Sequence, residues 1–277
     1  MEIDIVPRLT TLGHPHRLAV FRLLMRRYPD NLPAQEIAGA LTLKPSTLSA
    51  YLSALLQAGL ITQERVGTSL LYAIDMQGVR ETMDMLFLDC CRGRPDLCAS
   101  LPPNHEATLM PNRPWNVLFI CTGNSARSIF AESILRSLGD DRFRAFSAGT
   151  NPHSTLNPFA VDLLQAKGHD ITPLRSKTLA EFSAPGAPVM DFIFTVCDQA
   201  ANESCPAWDG QPIIGHWGVP DPVKAEGTPA QKGLAFQRAY GDLHRRISTF
   251  IALPVETLDR MALQSAVDNI GRMTPKE

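Results

Sequence analysis

The chain has 277 residues, 44% of them hydrophobic, and a formal net charge of −2. That length suits one large domain or two ordinary ones with real cores, and the near-neutral balance excludes a globally basic nucleic-acid binder. No apolar run approaches the ~18 residues of a membrane span, and no leader is apparent at Met1-Glu2-Ile3-Asp4. The six cysteines are therefore expected in a reducing cytoplasm, as catalytic, redox-active or metal-binding thiols.

Residues from about Ile5 to Asp89 read as a helical unit with a hairpin. Leu18, Val20, Phe21, Leu23 and Leu24 mark one amphipathic helix, and Pro33 to Leu41 a short second one. From Ser46 to Leu60, Leu48, Leu52, Leu55 and Leu56 share one face, with Gly59 suited to the helix C-terminus. Ser46, Thr47, Ser49 and Ala50 are left to point outward. Two helices joined by a short turn form a helix-turn-helix, whose second helix enters a major groove. Ile61 to Ile74 then reads as a hairpin turning at Gly67, a wing beside that helix. On patterning alone, a small helical domain that binds protein or dimerises fits as well.

A third helix, Val79 to Leu88, runs into Cys90, Cys91 and, a few residues on, Cys98. Clustered thiolates select soft or borderline ions. Three unrelated thiols at a helix end are the plainer alternative. Arg92 to Pro114 carries Pro95, Pro102, Pro103, Pro111 and Pro114 without periodicity and reads as a linker.

Beyond it the order is α/β. Val117 to Ile120 forms a buried strand ending at Cys121, followed at once by a helical pattern from Ile129 to Leu138. Phe143 to Thr150 is a strand and turn, Asn157-Pro158 starts a helix stopped by Gly168, and Phe192 to Val196 is a strand ending at Cys197. Asp198 to Ser204 reads as a polar loop before Cys205, and Ile213 to Trp217 as a fourth strand. Thr228-Pro229 opens a long helix to about Leu253, and a last helix is expected from roughly Glu256 to Ile270. Alternating strands and helices imply a parallel sheet with right-handed crossovers.

The chemistry concentrates at Cys121-Thr122-Gly123-Asn124-Ser125-Ala126-Arg127-Ser128. Small and polar residues between the cysteine and the arginine let backbone N–H groups converge where a new helix adds its positive end, an oxyanion cradle. The same field is expected to favour Cys121 as thiolate, and Arg127 offers a planar fork of donors for a tetrahedral anion. A buried structural cysteine near a surface arginine has the same spacing, and a thiolate beside a cradle suits a phosphatase as well as a reductase.

CTGNSARS resembles the arsenate reductase branch of the low-molecular-weight tyrosine phosphatase superfamily, a likeness running from about Trp115 to Arg272. LGHPHRLAVFRLL, KPSTLSAYLSALLQAGLI and the hairpin together resemble the ArsR/SmtB-type winged-helix repressors. The two resemblances imply a mainly α winged helix-turn-helix in residues 1–91, a Pro-rich linker in 92–114, and an α/β parallel-sheet domain of the low-molecular-weight phosphatase type in 115–277. They further imply a thiol relay in which Cys121 attacks arsenate, Cys197 releases arsenite, and Cys205 resolves the disulfide for an external thiol reductant, thioredoxin or glutaredoxin. No tightly bound cofactor is expected. Asp221-Pro222 resembles the superfamily's general acid. Ser128 is expected to steady the thiolate and Asn124 to hold the cradle's shape, with Ala126 standing where some reductases have a second cysteine.

On the DNA side the resemblance implies operator contact by Lys44, Ser46, Thr47, Ser49, Ala50, Tyr51 and Arg65, with dimerisation through the winged-helix domain. Ala50 and Tyr51 depart from the basic residue and histidine common there, which shifts phosphate contact toward Lys44 and Arg65. Cys90, Cys91 and Cys98 become an arsenite site, arsenite being the effector. A tyrosine phosphatase fused to a DNA-binding domain, needing only Cys121, Arg127 and Asp221, is the competing enzyme. A regulator that senses an oxyanion without turnover is the competing binding protein.

Overall fold

The computed structural model describes residues 5–91, 113–153, 155–203, 208 and 210–273. The chain divides into two compact units, Met1–Glu106 and Ala107–Glu277. Most of the expected Pro-rich linker, and with it Cys98, lies outside the described residues, as does Cys205.

The first unit opens with α1 (Val6–Leu12), a helix the sequence reading did not anticipate, followed by α2 (Pro15–Arg27). After β1 (Leu32–Pro33) come α3 (Ala34–Leu41) and α4 (Pro45–Gln57), the expected helix pair. α4 starts at a proline, which suits the first helical turn, and stops where Gly59 takes φ +63°. Val20, Leu23 and Leu24 of α2 close over Leu48, Leu52 and Leu55 of α4 in one buried cluster. The wing is β2 (Ile61–Val66) and β3 (Ser69–Ile74), antiparallel, with Gly67 in the turn at φ +60° and β1 added on the far side of β3.

The expected helix Val79 to Leu88 begins earlier, because Asp75 accepts from the backbone of Gln77 and Gly78 and caps α5 (Met76–Asp84). It continues as a single π-helical stretch, Met85–Cys90. Arg8 of α1 ties three pieces together: it donates to the carbonyls of Ala58 and Gly78 and to Thr82 Oγ1, and pairs with Glu81 at 3.1 Å. The end of α4 is thus clamped between α1 and α5.

The second unit is a four-stranded sheet of order β5-β4-β6-β7, with all three ladders parallel. The strands are β4 (Trp115–Cys121), β5 (Phe143–Gly149), β6 (Phe192–Thr195) and β7 (Ile213–His216). Val117, Leu118, Phe119 and Ile120 are fully buried, as a parallel strand covered on both faces requires. The connections are α6 (Arg127–Leu138), α7 (Pro158–Ala166), the short α8 (Asp198–Asn202), α9 (Pro229–Ile251) and α10 (Arg260–Gly271). Phe119, Phe194, Trp217 and Phe250 pack together at the centre, with Phe194 stacked on Trp217 at 3.8 Å between centroids.

Two expectations are corrected. The polar stretch after Cys197 is a helix rather than a loop, with the sulfur of Cys197 accepting from Ala200 N at its start. The last helix begins at Arg260 rather than near Glu256, since the Asp259 carboxylate accepts from Ala262 N and fixes the first turn there.

Candidate active site

The strand order turns back at β4, with β5 on one side of it and β6 on the other, and open α/β sheets place ligands at the carboxyl ends of strands at such a point. Cys121 ends β4, and Cys197 lies two residues past the end of β6, whose register pairs Ile120 with Thr195. Both thiols are buried.

From Cys121 the chain makes a tight turn into α6. Asn124 adopts φ +42°, a left-handed conformation that asparagine tolerates better than most residues. Its backbone N–H donates to Cys121 Sγ at 3.1 Å, and Ser128 Oγ lies 2.9 Å from the same sulfur. The outer side of the turn is held by the loop after β5. Thr150, Asn151, His153 and Asn157 donate backbone N–H groups to the carbonyls of Cys121, Thr122, Gly123 and Ser125, at 2.9 to 3.0 Å. With those carbonyls bound by the outer loop, the Asn124 amide is left to face the sulfur. Gly149, at the end of β5, lets this loop approach: a Cβ there would lie 2.7 Å from the Thr122 carbonyl.

The Asn124 side chain is buried, and its Nδ2 donates to Ser128 Oγ and to Ser147 Oγ, both at 2.8 Å. Its Oδ1 accepts from Lys177 N at 2.6 Å. Asn124 thus braces the turn, as expected from the sequence, but Ser147, Lys177 and Glu132 behind it were missed. A serine inside a buried strand was the one available signal; nothing local distinguishes Lys177 or Glu132 from surface charges.

Arg127 opens α6 and reaches across to the segment after β7. It donates to Asp221 Oδ2 at 2.8 Å and to the Val219 carbonyl at 3.2 Å. Asp221 Oδ1 accepts from Val223 N, which caps the short turn at Pro222. The arginine fork and the expected general acid therefore share one ion pair at the cradle's mouth, and an incoming oxyanion would compete with the carboxylate for the guanidinium.

Thr122 Oγ1 lies 3.4 Å from Cys197 Sγ. The two sulfurs are close enough that charge on Cys197 opposes ionisation of Cys121. One expectation is overturned here: burial pushes the Cys121 thiol above the ordinary cysteine range, with Cys197 adding to the effect, while Ser128 and then Arg127 pull the other way. Desolvation outweighs the hydrogen bonds and the nearby positive charge.

In the first unit, Lys44, Ser46, Ser49, Ala50 and Arg65 are exposed, and Thr47 and Tyr51 are half-buried. The Tyr51 ring sits against His14 and His16 of the α2 start, at centroid distances of 5.1 and 5.8 Å. Cys90 is exposed and Cys91 partly covered, side by side at the end of the π-helical turn.

The family model for low molecular weight phosphotyrosine protein phosphatase matches residues 116–262. The chain belongs to that family. A helix-turn-helix domain model matches residues 12–64, so this phosphatase-family domain is joined to a helix-turn-helix unit. An arsenate reductase of Halalkalibacterium halodurans is 37% identical over 134 residues, 48% of this chain and 93% of that protein. One from Bacillus subtilis is 34% identical over 134 residues, with the same coverage of 48% and 93%. A solved arsenate reductase from Archaeoglobus fulgidus covers 50% of this chain and 99% of its own, at 22% identity and a TM-score of 0.40.

Proposed function

We propose that this phosphatase-family chain is an arsenic-responsive DNA-binding regulator fused to a thiol-dependent arsenate reductase. The observation that carries the enzymatic half is the second thiol: Cys197 is buried beside Thr122 of the cradle, close enough to influence Cys121. A phosphatase has no use for it. The arsenate reductases at 37% and 34% identity support the same reading.

Cys121 thiolate attacks arsenate and displaces one oxygen as water, the proton coming from Asp221, to give a Cys121–arsenic bond. Cys197 thiolate attacks Cys121 Sγ; the sulfur–sulfur bond forms, the sulfur–arsenic bond breaks, and its electron pair leaves with arsenic, now arsenite. Cys205 thiolate then attacks Cys197 Sγ and frees Cys121, leaving a Cys197–Cys205 disulfide for an external dithiol such as thioredoxin or glutaredoxin. The cradle amides of Thr122 to Ser128 and the Arg127 fork hold the oxyanion throughout.

Purified protein with arsenate, thioredoxin, thioredoxin reductase and NADPH is expected to oxidise NADPH continuously. Cys205→Ser should stop after the first cycle with a Cys121–Cys197 disulfide; full turnover by that variant would sink the relay. The phosphatase reading draws on Cys121, Arg127 and Asp221 alone. Brisk p-nitrophenyl phosphate hydrolysis that survives loss of Cys197 and Cys205 would favour it.

For the regulatory half, Lys44, Ser46, Thr47, Ser49, Ala50, Tyr51 and the wing's Arg65 form the operator-facing surface. Val6 and Leu9 of α1, with Met83 and Leu88 near the end of the unit, are apolar and exposed, which suits a second copy of the chain. Cys90 and Cys91, with Cys98, are the arsenite ligands, so the product of one domain is the effector of the other. Arsenite should release the protein from operator DNA in a gel-shift assay, and Cys90→Ser should abolish release without abolishing binding. A normal response by that variant would make these cysteines bystanders. Among the described residues no helix is long and apolar enough to cross a membrane, and the cytoplasm is the setting in which the relay thiols stay reduced.

A further inference from the structure

We infer that His216 is a positioning residue for the second thiol: it holds Asp198, the first residue of α8, against the sheet and so keeps Cys197 aimed at the cradle. The inference rests on reading Cys197 as the partner of Cys121, but not on arsenate being the substrate.

Cys197 stands where the chain turns from β6 into α8, with φ −148° and ψ 146°. On its near side the backbone is tied to the sheet, since Val196 N donates to the Ile120 carbonyl at 2.8 Å. On its far side lies a helix of five residues, too short to hold itself together in water. The cap of that helix is weak as well, because the acceptor for Ala200 N is the Cys197 sulfur, at 3.4 Å. The start of α8 needs a further anchor, and without one the thiol is free to swing.

His216, at the end of β7, supplies that anchor. It is buried, with Nδ1 2.8 Å from Thr195 Oγ1 and Nε2 3.2 Å from Asp198 Oδ1. One imidazole thus spans the residues on either side of Val196 and Cys197. A carboxylate only accepts, so Nε2 carries a proton; a hydroxyl donates or accepts, so Nδ1 is satisfied by Thr195 whether or not it is protonated. The clasp therefore holds in either charge state of the ring. The Asp198 side chain is 58% exposed, so water alone would satisfy it. Its bond to His216 fixes a position rather than rescuing a buried charge.

The neighbouring backbone is fitted to the clasp. A Cβ on Gly218 would lie 2.6 Å from Asp198 Oδ1 and 2.9 Å from His216 Nε2, and Arg246 holds the Gly218 carbonyl in place at 2.9 Å. Tied on both sides, Cys197 keeps its sulfur 3.4 Å from Thr122 Oγ1, near Cys121. A misplacement of about 1 Å in such a pair costs up to ~100-fold in rate. Asp198 also puts a negative charge on the residue next to Cys197, which by itself disfavours a thiolate there. The two effects have opposite signs: losing the clasp slows Cys197, and losing only the charge speeds it.

The test is formation of the Cys121–Cys197 disulfide in the full chain carrying Cys205→Ser, driven by diamide and followed as the cross-linked peptide by mass spectrometry. Diamide takes up the two electrons: one thiolate adds to its nitrogen–nitrogen double bond, and the other attacks the sulfur so bound, releasing the hydrazine. Asp198→Ala is expected to slow cross-linking by ~10- to 100-fold. Asp198→Asn, whose Oδ1 still accepts from Nε2, should stay near the parent rate. His216→Asn keeps a polar group opposite Thr195 but falls short of Asp198; it is expected to match Asp198→Ala and to add nothing in combination with it. Should His216→Asn fail to fold, the two substitutions at the exposed Asp198 decide alone. Unchanged or faster cross-linking in Asp198→Ala, equal slowing in Asp198→Asn, or no cross-link in the parent would overturn the inference. Diamide needs no arsenate: a parent that cross-links with diamide but not with arsenate, and is slowed by Asp198→Ala, would refute the proposed reaction and leave this assignment standing.

Discussion

Cys121→Ser is expected to bring arsenate-dependent NADPH oxidation down to the rate without protein, a loss of ~10⁴-fold or more. Serine oxygen can accept the same Asn124 N–H and pair with Ser128 as the sulfur does at 3.1 and 2.9 Å, so the cradle keeps its shape. What serine lacks is a redox state: it forms no disulfide, and the two electrons that reduce arsenic have no source. Phosphate affinity, measured by isothermal titration, should fall by less than about tenfold, because the amides and Arg127 supply the anion's partners. Retained turnover would remove Cys121 from the reaction. Loss of phosphate binding as well would show that the sulfur holds the cradle together rather than acting in it.

Gly149→Ala is expected to damage stability and site together. The added methyl carbon would lie 2.7 Å from the Thr122 carbonyl oxygen, 3.0 Å from Asn124 Cβ and 3.1 Å from Pro152 Cα. Two of these three atoms are backbone, and none is the end of a flexible side chain, so the loop must back away from the cradle. Overpacking of this kind costs ~1–3 kcal/mol. The hydrogen bonds from Thr150, Asn151 and His153 to the cradle carbonyls lengthen at the same time. All three tryptophans, Trp115, Trp208 and Trp217, belong to the second unit. Tryptophan fluorescence therefore follows its unfolding without interference from the winged helix. Gly233→Ala, where a Cβ meets nothing within 4 Å on the long helix α9, is the control and should be neutral or stabilising. A Gly149→Ala protein with unchanged midpoint and unchanged phosphate affinity would show that the loop is not fitted to the cradle.

The winged helix was legible because its signals are local. Proline at the head of α4, glycine after it and glycine in the hairpin turn each act within a few residues. α1 was missed because its partners are distant: Arg8 is held by Ala58, Gly78, Glu81 and Thr82, none of which lies near it in sequence. α6 shows the opposite failure. Every residue from Ser128 to Leu135 is buried, because the helix packs on β4 and β5 with one side and on α9 with another. Periodicity therefore gives no reason to set Glu132 inside, and its buried position follows only from the cations that meet it there.

By itself the sequence determined that a cysteine ends a buried strand, that small polar residues lead from it to an arginine opening a helix, and that two more cysteines follow a later strand. Those features are written in hydrophobic runs, glycines and spacing, which act over short distances. The tertiary structure alone decided what the cysteine experiences. Its ionisation is set against it by burial and by Cys197, and in its favour by Ser128 and Arg127. It likewise decided that Arg127 rests on Asp221 and that Lys177 stands behind Asn124. The balance of a buried charge depends on every polar atom that reaches it, and those atoms come from separate stretches of the chain that only the folded sheet brings together.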